Sequence, residues 1–266
     1  LGKQSSTQTN IIWDIPVCRN VQTGVEYMSL AAAVSEVSAN FDDKPTTIEM
    51  LVAEHVINTS NQVKVLSGQK IKITTATDMG LEGPCVIKRG ANDLDLIRIR
   101  SVGDEYGGIC GLTLLNIILD GDKENFPDNK TGRLIYSYKN NGNGYLDLGD
   151  EKDPKVRPII RKNKATDVDG AIAIDHGGDM SIYNAEIYGN EGKNGGAIFD
   201  SGVGVLTIND CDIHDNKAVQ GGAIYLENNS SLYITGGKIE KNYASSRSGG
   251  IDAAGTDPNL SVIVLG

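Results

Sequence analysis

Four carboxylates and a guanidinium crowd into eleven residues of this chain: Asp147, Asp150, Glu151, Asp153 and Arg157. Two or three carboxylates that converge on one groove could hydrolyse a glycosidic bond. A Ca²⁺ ion with a Lys or Arg base could instead support a lyase. Asp167, Asp169, Asp175 and His176 extend the supply of such groups. A second stretch, Asp120-Gly-Asp122-Lys-Glu124, alternates carboxylates at positions 1, 3 and 5, as a Ca²⁺ loop does. Lys139-Asn-Asn-Gly-Asn-Gly144 has a similar texture, but Lys139 stands where the first ligand should be. The competing reading of both stretches is a solvated polar loop. The other histidines, His55 and His214, fit no Ser-His-Asp or Cys-His grouping, and no catalytic residue is assigned.

What must position these groups is a repeat. Asn190, Asn216 and Asn242 are spaced by 26 residues, and so are Ile187, Ile213 and Ile239. Ile182, Ile208 and Ile234 keep the same step, as do Ile172, Ile198 and Ile224. A fixed period of this length means one structural unit stacked on itself. Each copy holds three short apolar bursts, the middle one alternating with period two (Met180/Ile182, Leu206/Ile208, Leu232/Ile234), which is the strand signal. Gly, Asn, Asp and Ser punctuate them as turns require. Three strands and three turns in each copy predict an all-β fold, a parallel β-helix with three strands per coil. Asn190, Asn216 and Asn242 should then stack as a ladder of side-chain amides, and Ala185, Cys211 and Gly237 should line a tight corner. Ser181/Thr207/Tyr233 and Glu186/Asp212/Lys238 should face outward, with Asp212 favourably beside Lys238 but unfavourably beside Glu186.

Along the chain, residues 1–27 read as an arm with a strand at Ile11–Val17, and 28–266 as a single β-helix domain. Leu30, Ala33, Val34 and Val37 form a helix stripe that predicts a capping helix over 28–40, with Ser29 as N-cap. The regular repeats occupy 169–252. Between 120 and 158 the period is swollen by polar insertions, and insertions leave a solenoid as loops on one face, often the binding face. The strand-like end Leu260-Ser-Val-Ile-Val-Leu-Gly suggests a fragment of a longer protein or a closing strand.

A net charge of −10 and a pI near 4.8 argue against a nucleic-acid partner. No apolar run is long enough to span a membrane, and LGKQSSTQTN carries no signal-peptide segment, which suggests a trimmed or mature chain. The four cysteines lack zinc spacing; Cys85 and Cys110, about one coil apart, could bridge or stay reduced, and Cys18 is left unassigned outside the solenoid.

The Gly-Gly-Ala-Ile motifs at 195–198 and 221–224, with Asp-Gly-Ala-Ile at 169–172, resemble the repeats of chlamydial polymorphic membrane proteins. The partner motif of that family, Phe-x-x-Asn, here reads Ile-Tyr-Gly-Asn190, Ile-His-Asp-Asn216 and Ile-Glu-Lys-Asn242. That change points to the broader class of bacterial surface proteins with right-handed β-helix regions. Segments like Ser29-Leu-Ala-Ala-Ala and Val65-Leu-Ser-Gly-Gln-Lys-Ile-Lys-Ile also resemble that class. The motif match covers about 170–252 and the looser one most of 28–266. The resemblance implies secretion or cell-surface display, adhesion, and a host-surface protein or glycan as partner. The expectation is a rod that presents loops 120–158, with Asp147, Asp150, Glu151, Asp153 and Arg157 as ligand contacts. No cofactor is expected beyond a Ca²⁺ at Asp120, Asp122 and Glu124. A carbohydrate-active enzyme and a ligand-free stalk are the alternatives.

Overall fold

The computed structural model describes residues 15–39, 44–101, 109–139, 144–175, 178–201, 204–227, 230–254 and 261–265. Most of the expected Ile11–Val17 strand, residues 140–143 of the Lys139–Gly144 loop and His176 lie outside the described residues.

Among the strands from Thr46 onward every described pairing with one another is parallel, and they stack into three long sheets. The chain visits them in turn. It runs from Thr46–Met50 in the first sheet to Glu54–Ile57 in the second and Val63–Leu66 in the third. It then returns to the first at Lys70–Thr75. The registers reproduce the sequence columns: Ile182, Ile208 and Ile234 stack in the first sheet, Ile187, Ile213 and Ile239 in the second, and Ile172, Ile198 and Ile224 in the third. Inward residues such as Ile198, Leu206 and Ile213 are fully buried. Each such side chain contributes roughly 1.5–3 kcal/mol relative to exposure.

The regular coils add a fourth, short ladder that three apolar bursts do not announce. Lys164–Ala165, Glu191–Gly192, Lys217–Gln220 and Tyr243–Arg247 pair in parallel between the second and third sheets. These strands are largely polar or small, so they carry no period-two apolar mark.

Corners explain the punctuation. Asn116, Asn184, Asp210 and Gly236 turn from the first sheet to the second with φ between 51 and 67°. This left-handed region suits Gly, Asn and Asp. The residue before each ladder asparagine (Lys162, Gly189, Asp215 or Lys241) is left-handed too. At Gly195, with φ of 65°, a Cβ would also run into the Ile198 carbonyl oxygen. Ala185 and Cys211 are buried at the first corner, and a Cβ on Gly237 would strike the Cys211 backbone.

The first sheet is closed at one edge by an antiparallel hairpin. Cys18–Asn20 pairs with both Glu26–Tyr27 and Thr46–Met50. Cys18 is therefore a core residue, packed with the helix that follows. That helix spans Leu30–Ser35, shorter than the 28–40 expected. Ser29 caps it by accepting from the Ala32 amide at 3.1 Å, and the chain leaves helical geometry after Glu36. The whole stripe Leu30, Ala33, Val34 and Val37 is nonetheless buried. The Gln69 amide holds Val37 from outside the helix by donating to the Val34 and Val37 carbonyls.

None of the four cysteines is in a disulfide. Cys85 stacks beneath Ile117 in the second sheet, whereas Cys110 pairs with Gly144 in the first. Their spacing does not bring them together because the early coils are longer than the regular ones. One coil on from Cys85 the chain has passed Cys110 and reached Ile117.

Candidate functional site

The expected ligand contacts divide between two faces. Asp147 lies on the outward column of the first sheet, in register with Thr113 on one side and Ser181 on the other. Alternation along Gly144–Leu148 sends Leu146 and Leu148 into the core and Asp147 out. The corner after it brings Asp150 and Glu151 to the same rim. Asp147, Asp150 and Glu151 thus border one shallow groove of about 460 Å³, together with Lys72, Thr113 and Tyr183. Partial burial, reinforced by the nearby charge of Asp179, pushes the Asp147 carboxyl up to about 6, against a hydrogen bond from Ser181 that favours its ionised form.

Asp153 and Arg157 serve the architecture instead. Asp153 caps a short 3₁₀ turn, Pro154–Val156, by accepting from the Lys155 amide. Arg157 reaches the second sheet, 3.0 Å from Asp212 and 3.8 Å from Glu186. These are the two like charges that sequence columns set side by side, and the guanidinium sits between them. Asp212 also pairs in register with Lys238.

The alternating acids of 120–124 point at three different cations. Asp120 is 2.7 Å from Arg161, Asp122 is 3.2 Å from Lys88, and Glu124 is 3.8 Å from Lys162. Among the described residues no group of three or more His, Cys, Asp or Glu is arranged to hold a metal. The swollen segment is also tied down: Asp93 accepts from the Lys130 and Thr131 amides, and buried Asn129 donates to the Gly132 and Lys164 carbonyls.

Asn190, Asn216 and Asn242 form a continuous ladder. The Asn190 and Asn216 amides each donate to the next side-chain oxygen at 3.0 Å, the Asn242 amide donates to the Ile213 carbonyl, and each oxygen also accepts the backbone N–H of the rung before it. Asn163 adds a lower rung, its backbone N–H donating to Asn190. Below it stands Arg89, which sequence reasoning passed over. It is 1% exposed. It donates to Asn163 Oδ1 at 2.8 Å and to the carbonyls of Ala91, Leu94, Gly132 and Arg133. The available signal was alternation: Cys85, Ile87 and Arg89 share the inward face. Burial draws its pKa down to about 10, so it stays charged at neutral pH.

His214 stacks on Tyr188 with ring centroids 5.2 Å apart, and its nitrogens meet Asp215 at 2.7 Å and Glu186 at 3.3 Å. Partial burial opposes protonation, but the hydrogen bonds to the two carboxylates outweigh it and raise the imidazole pKa.

No helix of the described residues is long and apolar enough to cross a membrane. Neither a curated protein nor a solved structure matches the chain. The family model described as the right-handed beta helix region does match, over residues 116–263. That span takes in the asparagine ladder and all the regular coils, and the chain belongs to the right-handed beta helix region family.

Proposed function

We propose that this chain is the β-helical region of a secreted or cell-surface protein and that it binds a glycan in the groove of the first sheet. The supporting observation is that Asp147, Asp150 and Glu151 border one groove with Lys72, Thr113 and Tyr183. Carboxylates, hydroxyls and an ammonium on stacked strands offer donors and acceptors to sugar hydroxyls, and a tyrosine ring offers a face to a sugar ring. The acidic rim favours neutral or amino sugars over acidic ones. Display at the surface rests on the resemblance of the Gly-Gly-Ala-Ile repeats to those of surface proteins. Titration of neutral oligosaccharides, followed by NMR and calorimetry, is expected to show binding that D147A and K72A each weaken about tenfold. Binding that both variants leave unchanged would overturn the assignment of the groove.

A hydrolytic role draws on one further observation. A carboxyl whose pKa burial and the charge of Asp179 raise to about 6 keeps a share of its proton near that pH, as a group that protonates a leaving-group oxygen must. Reducing-sugar release between pH 4 and 8, abolished by D147N, would establish that role; no release from any glycan bound in the groove would remove it.

A further inference from the structure

The outer face of the third sheet carries a different chemistry. Strands Val63–Leu66, Ile97–Ser101 and Ile135–Lys139 lie side by side, so Lys64, Arg98 and Tyr136 form one outward column. Leu66, Arg100 and Tyr138 form the next. The inward residues between them, Val63, Val65, Ile97, Ile99 and Ile135, are buried in the core, which fixes the orientation of both columns. Around these residues lies a groove of about 350 Å³. Two guanidinium groups lie over the Tyr136 ring, Arg133 at 4.2 Å and Arg98 at 5.6 Å from its centroid. Tyr138 stands 6.2 Å away, tilted by 45°. Asp95 fixes Arg98 through a 2.9 Å contact. Among the described residues, Lys64 and Arg100 make no ion pair.

A protein of net charge −10 that gathers three exposed cations beside two tyrosines is arranged to receive a negative ligand with flat apolar faces. We propose that this groove is a second binding site, for an acidic glycan whose chain runs along the coil axis. Adjacent coils are about 4.8 Å apart, close to the length of one sugar ring, so successive sugars meet equivalent positions on successive coils. Tyr138 offers its ring to a sugar face, while Arg98, Arg100 and Lys64 take carboxylate or sulfate oxygens, a pairing for which guanidinium is well shaped. A single-stranded nucleic acid also stacks on aromatic rings. Three cations are few, however, to hold its phosphate backbone against the acidic field of the rest of the molecule. The site is separate from the first-sheet groove and does not depend on that assignment.

The test is calorimetric titration of the intact chain at low and physiological salt. The probes are alginate and chondroitin sulfate oligosaccharides, a neutral dextran oligosaccharide and an oligo-dT strand. The acidic sugars are expected to bind here, whereas any binding of the neutral one, at the first-sheet groove, should be indifferent to R98Q and R100Q. R98Q and R100Q should each weaken acidic-sugar binding about tenfold or more, as loss of a hydrogen bond to a charged group implies. K64A should weaken it less, and D147N should leave it unchanged. Both arginine side chains are outward, and circular dichroism of the variants verifies that the coils remain. No binding of acidic sugars, tighter binding of oligo-dT, or acidic-sugar binding indifferent to R98Q and R100Q would each overturn the proposal. Loss of neutral-sugar binding in D147A with acidic-sugar binding retained would separate the two grooves.

Discussion

Truncating Asn216 to Ala tests the ladder at its most embedded rung. Its amide donates to the Ile187 carbonyl at 3.0 Å, the His214 carbonyl at 2.9 Å and Asn242 Oδ1 at 3.0 Å. Its Oδ1 accepts both the backbone N–H and the side-chain amide of Asn190, each at 3.0 Å. Asn216 is fully buried, so water does not replace these partners. The variant orphans the Asn190 N–H outright, at about 1–3 kcal/mol, and takes one of two donors from the Ile187 carbonyl. It also leaves a small cavity, so N216A should cost about 3–5 kcal/mol. Asn242 is the comparison: it is only partly buried, and it donates to the Ile213 carbonyl and accepts from Asn216. With water able to reach those partners, N242A should cost only about 1–2 kcal/mol. Urea unfolding followed by circular dichroism gives both values. Because a solenoid couples mainly nearest neighbours, N216A should also broaden or split the transition where N242A does not. Equal losses in the two variants, or a loss under about 1 kcal/mol for N216A, would refute the reasoning that embedded rungs carry the ladder.

Four further outcomes follow from the same geometry. Asp147 is raised from 3.8 to about 6, so the folded protein holds that proton more tightly than the unfolded chain and stability falls as pH rises between about 4 and 6. At most this is ~3 kcal/mol, reduced by solvent screening to about 1–2 kcal/mol. D147N should abolish that part of the pH dependence in urea titrations. R89M should destabilise by about 3–5 kcal/mol, because the carbonyls and Asn163 lose a buried charged donor; a neutral effect on the melting temperature would contradict this. R157A exposes Glu186 to Asp212 and should cost under about 1 kcal/mol at low salt, a loss that added NaCl shrinks. His214, with its pKa raised in the fold, adds stability that is full below about pH 6.5 and is lost as pH climbs through the folded value. H214Q should flatten that slope, by less than about 1 kcal/mol.

The parts of the fold that were legible in the sequence are those where coil length is constant. Over 169–252 the regular step lets columns of Ile and Asn be read directly, and their stacking follows. Before that span the coils vary: Val63 aligns with Ile97, and Ile135 with Ile172. Val63-Lys-Val and Ile97-Arg-Ile-Arg alternate apolar and polar residues, but nothing in that alternation carries the register that sets Arg98 against Tyr136. The third-sheet groove therefore had no sequence signature. For a related reason the sequence did not part Asp153 and Arg157 from the three acids on the first-sheet groove. Charge density in a loop does not reveal which charges are already claimed, and a 3₁₀ turn and two acids from later coils claim these. The capping helix stopped short because its apolar stripe outlasts its helical backbone, Val37 reaching the core from the turn beyond.

Arg89 has a consequence for how such a chain can change length. Its guanidinium ends the column of amides at Asn163, so everything below is pinned by contacts found once, while everything above is built from interchangeable rungs. A further repeat unit placed between Asn194 and Gly195 would meet the same hydrogen-bond partners on both sides. It would lengthen the rod by about 4.8 Å, leaving both grooves where they are. The plug thus acts as a fixed zero on a ruler graduated in coils: copy number sets reach, and the ligand-facing surfaces keep their distance from the capped end.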